Sequence, residues 1–110
     1  MERFIKGDIV VVPFPFSDLS QSKKRPALVI TSLIGDDFIL CQITSQLAKD
    51  SYAVAISEDD FQEGSLKKSS NVRPNRLFTA DQHILLKKIG YLKEQKMSEI
   101  IQKIIEIITS

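Results

Sequence analysis

A small, mainly β domain closed by a C-terminal helix is the fold class that the sequence predicts, and three observations predict it. Short β-branched runs recur through the first half of the chain, each stopped by a turn or proline signal. The stretch 84–92 contains Gly90, which disfavours a helix and favours one more strand. Helical periodicity is confined to the last segment, where Met97, Ile100, Ile101, Ile104, Ile105 and Ile108 recur at spacings of three and four, with Glu99, Gln102, Lys103 and Glu106 on the other side. About five or six short strands and a terminal helix point to a small barrel-like β domain with helical additions.

The first strand is Ile9-Val10-Val11-Val12, expected to halt at Pro13-Phe14-Pro15-Phe16, where two prolines remove ladder donors. Residues 17–24 are polar apart from Leu19 and read as a long exposed loop of the kind that holds binding groups, closed by Arg25-Pro26. Ala27-Leu28-Val29-Ile30-Thr31 is a second strand, too apolar for a solvated face. A Gly35-Asp36-Asp37 turn joins it, as a hairpin, to a third strand, Phe38-Ile39-Leu40-Cys41-Gln42-Ile43. Tyr52-Ala53-Val54-Ala55-Ile56 makes a fourth, after which Ser57 caps one acidic helical turn that Gly64 ends. From residue 66 to 76 come Lys67, Lys68, Arg73 and Arg76 without an acid, the sharpest charge asymmetry in the chain. The final helix lays its apolar face on the curved sheet, or forms a homodimer seam or a groove for a partner peptide. Lys103 is balanced by Glu99 and Glu106, and the helix has no aromatic anchor, so a membrane-surface helix does not fit.

With 110 residues and 12.4 kDa, residues 1–110 are expected to form one domain. An apolar content of 43 % argues against disorder, and a formal net charge of +1 excludes a uniformly basic or acidic binding surface, so any cationic site is local. The charged N-terminus lacks the apolar stretch of a secretion signal, and no apolar run reaches the roughly 18 residues of a membrane span; a cytoplasmic setting is expected. Cys41 has no second cysteine and sits among Ile39, Leu40 and Ile43 as a small buried hydrophobe. With His83 distant in sequence, neither a tetrahedral zinc site nor a Cys-His nucleophile pair is expected, and no cofactor or metal is implied.

Arg25, stiffened by Pro26, offers a planar fork of donors to a phosphate; the alternative is an ion pair with Asp8 or Asp18. Thr44-Ser45-Gln46 follow the third strand, where hydroxyls and an amide face a substrate or satisfy a turn. Lys67, Lys68, Arg73 and Arg76 contact phosphates or form a solvated face. No carboxylates stand in the spacing of a catalytic pair, and His83, beside a turn, reads as a surface or cap residue.

Gly7-Asp8-Ile9-Val10-Val11-Val12, then a polar loop, Lys24-Arg25-Pro26-Ala27-Leu28-Val29-Ile30, Ile43-Thr44-Ser45-Gln46, Lys88-Ile89-Gly90-Tyr91-Leu92 and the closing helix together resemble the MazF/PemK family of toxins over nearly the whole chain. The resemblance implies an SH3-like β-barrel, a homodimer, a cognate antitoxin peptide, and metal-independent cleavage of single-stranded RNA to 2′,3′-cyclic phosphate and 5′-hydroxyl ends. By position it makes Arg25 and Thr44 catalytic. Arg73 matches the arginine of a second pair whose acid lies two residues on, and that position here is Asn75, whose amide cannot exchange a proton near neutral pH. Another group then handles the proton, or cleavage is slow, or the chain binds without cutting. Ser17 and Asp18 lie in the polar loop that closes over RNA, and Lys23, Lys24, Ser45, Gln46, Lys67, Lys68 and Arg76 complete the expected RNA contacts. The rival readings are a non-catalytic nucleic-acid-binding module on the same barrel and a gyrase-targeting toxin acting through its terminal helix.

Overall fold

The computed structural model describes residues 4–14, 23–45 and 51–110. Seven strands, β1 (Asp8–Phe14), β2 (Lys23–Ser32), β3 (Asp37–Thr44), β4 (Val54–Ile56), β5 (Phe61–Gly64), β6 (Ser70–Asp81) and β7 (Lys87–Leu92), precede the helix α1 (Glu94–Thr109). They form one antiparallel sheet in the order β4-β6-β3-β2-β1-β7-β5. The edge strands β4 and β5 are consecutive in sequence, and this forces curvature. Seven strands laid flat would hold their edges about 29 Å apart. The link from Ile56 to Phe61, pinched by a 3₁₀ turn at Glu58–Asp60, reaches about 18 Å at full extension. The sheet curls into a half-barrel, and the mainly β class with a C-terminal helix holds.

Strand alternation gives the curled sheet two apolar faces. On one, Ile9, Leu28, Cys41, Ile43, Val72 and Leu92 pack against Met97, Ile100 and Ile104 of α1. On the other, Val10, Val12, Ala27, Val29, Leu40 and Ala80 are covered by Phe4, Phe38 and Leu85, with the Phe4 and Phe38 rings edge to face. The helix is thus the expected lid, although Ile105 and Ile108, which share its apolar periodicity, are exposed.

Four features were hidden in the sequence, three of them by proline and charge. β1 runs through Pro13 to Phe14 because β7 pairs with it only as far as Val11, and beyond that point Pro13 lies on a local edge. Lys23, Lys24, Arg25 and Pro26 belong to β2 rather than to the polar loop, since β3 joins β2 only from Ala27 inward and leaves Pro26 paired on one side. The longest strand, β6, was not anticipated: between Cys41↔Leu77 and Gln42↔Arg73 its register slips, so Pro74, Asn75 and Arg76 leave the ladder as a bulge that tolerates the missing N–H. β5 was likewise missed, and Gly64, with φ at +69°, ends that strand rather than the helical turn.

Candidate active site

The sheet converges on three of the sequence-predicted residues. Arg25 stands on β2 opposite Val12 of β1. The outermost β2–β3 pair is Ala27↔Gln42, and Arg25 and Thr44 each lie two residues beyond it, on the same face by alternation. On the other side of β3, Gln42 opposes Arg73 and Thr44 opposes Asn71. Directly opposed residues hold their Cβ atoms about 4.5–5.5 Å apart. Two arginines and a hydroxyl therefore gather at one end of one sheet face, on the adjacent strands β2, β3 and β6.

This face is the one that buries Val10, Val12 and Ala27, opposite the face that carries α1. Arg25 is exposed, while Thr44 and Arg73 are half-buried at the rim of that apolar layer. An apolar floor lowers the local dielectric and strengthens what a guanidinium does to an anion above it. Arg25 makes no ion pair with a described residue. Its alternative partner Asp8 is fully buried elsewhere: Asp8 Oδ2 accepts the Ile5 N–H at 2.8 Å, and Oδ1 lies 3.3 Å from Lys88 Nζ. Oδ1 has no hydrogen bond, so that contact is an ion pair only.

The remaining predicted contacts separate. Lys23 shares the face of Arg25, whereas alternation sends Lys24 to the opposite face. Ser45 is exposed just past β3, and Arg76 is exposed on the β6 bulge beside Asn75. Lys67 and Lys68 line a separate groove of about 450 Å³ with Ile56, Ser57, Glu58, Asp59, Phe61, Leu66 and Ser69, so their charge faces two carboxylates. Ser17, Asp18 and Gln46 lie outside the described residues.

Burial pushes the Cys41 thiol up to about 12, as befits a packed hydrophobe. His83 sits in the 3₁₀ turn after β6, beside Asp81, whose carboxyl accepts its backbone N–H and is thereby held below its usual range. Asp81 opposes Asp37 at the start of β3, about 23 Å along that strand from Thr44, so His83 serves no proton at the arginines. Among the described residues no three His, Cys, Asp or Glu side chains cluster as a metal site.

Two polar positions escaped the sequence reading. Gln42 is the one amide within the apolar run of β3, and Asn71 lies in a segment that had not been assigned to a strand. Alternation along β3 carried the signal for Gln42, which shares parity with Thr44.

The family described as PemK-like, MazF-like toxin of type II toxin-antitoxin system matches residues 5–108. Among curated protein sequences there is no significant match. Among solved structures, MazF from Deinococcus radiodurans is similar at a TM-score of 0.78 and 17 % identity, covering 100 % of both chains. An endoribonuclease from Mycobacterial species, solved in complex with its cognate antitoxin, follows at 0.76 and 13 % identity, covering 97 % of this chain and 96 % of its own. Mycobacterium tuberculosis toxin MazF-mt6 aligns at 0.72 and 20 % identity, covering 93 % and 96 %.

Proposed function

Because the chain belongs to the PemK-like, MazF-like family of type II toxin–antitoxin toxins, we propose that it is an endoribonuclease that cuts single-stranded RNA at selected sites. The convergence of Arg25, Thr44 and Arg73 on one sheet face carries this reading. RNA supplies its own nucleophile: the ribose 2′-oxygen bonds to the adjacent phosphorus, the bond from phosphorus to the 5′-oxygen breaks, and a 2′,3′-cyclic phosphate and a free 5′-hydroxyl result. No metal-bound water is required for that chemistry. Arg25 neutralises charge growing on the phosphoryl oxygens, Thr44 holds one of them by its hydroxyl, and Arg73 braces the same phosphate or the departing oxygen. Asn75 exchanges no proton, so water carries the proton from the 2′-oxygen and delivers one to the 5′-oxygen. Lys23 holds the RNA backbone on this face, Ser45 and Arg76 contact it nearby, and Ser17, Asp18 and Gln46 are proposed as further RNA contacts. Lys24 lies on the opposite sheet face, and Lys67 and Lys68 share their groove with Glu58 and Asp59, so these three lysines stand off the RNA path.

Residues 1–110 act as one domain, as a cytoplasmic homodimer held in check by a cognate antitoxin peptide. Sedimentation at two concentrations tests the dimer. Cleavage is tested by incubating the protein and Arg25→Ala with a long mixed-sequence RNA in excess chelator and mapping the ends. Discrete cuts bearing cyclic phosphate are expected, and losing one charged contact slows them about 100-fold or more. Asn75 favours one second reading, a nucleic-acid binder without turnover, which would leave the RNA intact while still binding it.

A further inference from the structure

Gln42 interrupts the apolar run of β3 on the face that carries Thr44. Its neighbours across the sheet are Arg73 on β6 and Ala27 on β2. Ala27 contributes only a methyl group, so the described residue directly opposite on β2 leaves the amide uncovered. On the other side β6 leaves the ladder at residues 74–76, immediately beside Arg73. Gln42 is half-buried beside this bulge, and its carboxamide makes no hydrogen bond with a described residue. A partly desolvated amide gains free energy from a partner that satisfies both its donor and its acceptor.

The chemistry of that partner is narrow. A phosphate offers acceptors alone, which suits Arg25 and Arg73 but leaves the amide oxygen unsatisfied. The edge of an unstacked base offers a donor and an acceptor side by side, the complement of a primary amide. Single-stranded RNA exposes such edges. Building on the RNA cleavage proposed above, we infer that Gln42 is a specificity-determining residue that reads one base of the cut site while Arg73 holds the adjoining phosphate.

Wild type, Gln42→Ala and Gln42→Glu are given a randomised RNA pool, and the base frequencies around every cut are compared. With Gln42→Ala, cleavage at the preferred sites falls about tenfold relative to sites that differ at one base position, so preference flattens at that position alone. Gln42→Glu keeps the shape and the acceptor but loses the donor, and it shifts the same position toward bases that present an amino group. Where Gln42→Ala does not fold, Gln42→Glu carries the test. A uniform fall at all sites, or a cut profile that neither variant moves, overturns the inference and leaves the cleavage reading standing. RNA left intact by wild type overturns both.

Discussion

Asp8 and Lys88 show how a buried charge is stabilised by a neighbour that itself remains partly wet. Burial works against the Lys88 charge, but contact with Asp8 and Glu63 outweighs it and holds its pKa above the ordinary value. Removing Lys88 leaves a fully buried carboxylate without a counter-charge, whereas Asp8→Asn keeps the acceptor for Ile5 N–H. Lys88→Met is expected to cost about 3 kcal/mol in urea unfolding, and Asp8→Asn less. Cys41 makes the alkaline limb of stability informative. Its thiol has a usual pKa of 9.0 and is pushed up to about 12 in the fold, so between these values the folded state keeps a proton that the unfolded state has lost. Stability is then full below pH 9 and falls as pH rises toward 12, at up to about 1.4 kcal/mol per pH unit. Lys88 acts in the same direction, so Cys41→Ala should flatten part of this slope and not all of it. Glycines divide by what a methyl group would meet. At Gly64 a Cβ would fall 2.3 Å from the Ile89 carbonyl oxygen, while at Gly35, also at positive φ, nothing lies within 4 Å. Gly35→Ala is expected to cost about 1 kcal/mol from backbone strain alone, and Gly64→Ala about 2–4 kcal/mol, read from the same unfolding curves.

Elements with a pure pattern were legible, and those with mixed chemistry were not. α1 was readable because its apolar positions recur without a break, and β2 and β3 because each holds a continuous apolar run, 27–30 and 38–41. β6 was opaque because strand propensity sums over residues, and Arg73, Pro74, Asn75 and Arg76 in its middle argue against a ladder that in fact skips three of them. The same bulge explains why Arg25, Thr44 and Arg73 could be named from the family resemblance while the spatial roles of Gln42 and Asn71 could not. Cross-strand neighbours depend on a register slip that no local signal announces. Periodicity also overstates burial on α1: Ile100 is 0 % exposed, whereas Ile108 is 70 % exposed on the same apolar stripe. Ile100→Ala should cost about 2–5 kcal/mol of stability and Ile108→Ala less than about 0.5, a contrast that thermal unfolding of the two variants measures.

At the scale of the whole molecule, a net charge of +1 gives little long-range attraction for a polyanion, so the RNA affinity that the proposed function requires rests on how many cations reach the phosphates together. From composition, seven cations are candidates: Lys23, Lys24, Arg25, Lys67, Lys68, Arg73 and Arg76. The fold breaks this set apart. Lys23, Arg25 and Arg73 share the site face, Lys24 points to the other face, Arg76 rides the bulge, and Lys67 and Lys68 look across a groove at Glu58 and Asp59. For single strands the logarithm of affinity falls with the logarithm of salt at about 0.7 per neutralised phosphate, so three contacts give a slope of about −2 and seven give about −5. A slope near −2 is expected for a short RNA bound to Thr44→Ala, the variant that the proposed mechanism expects to cut slowly. Replacing Lys67 and Lys68 together by serine should leave that slope within experimental scatter, because they line a separate groove shared with Glu58 and Asp59, whereas Lys23→Ser should reduce it by roughly 0.7. A slope near −5, lost with the lysine pair, would instead extend the RNA path over the seam between β4 and β5 and make the groove part of the binding surface.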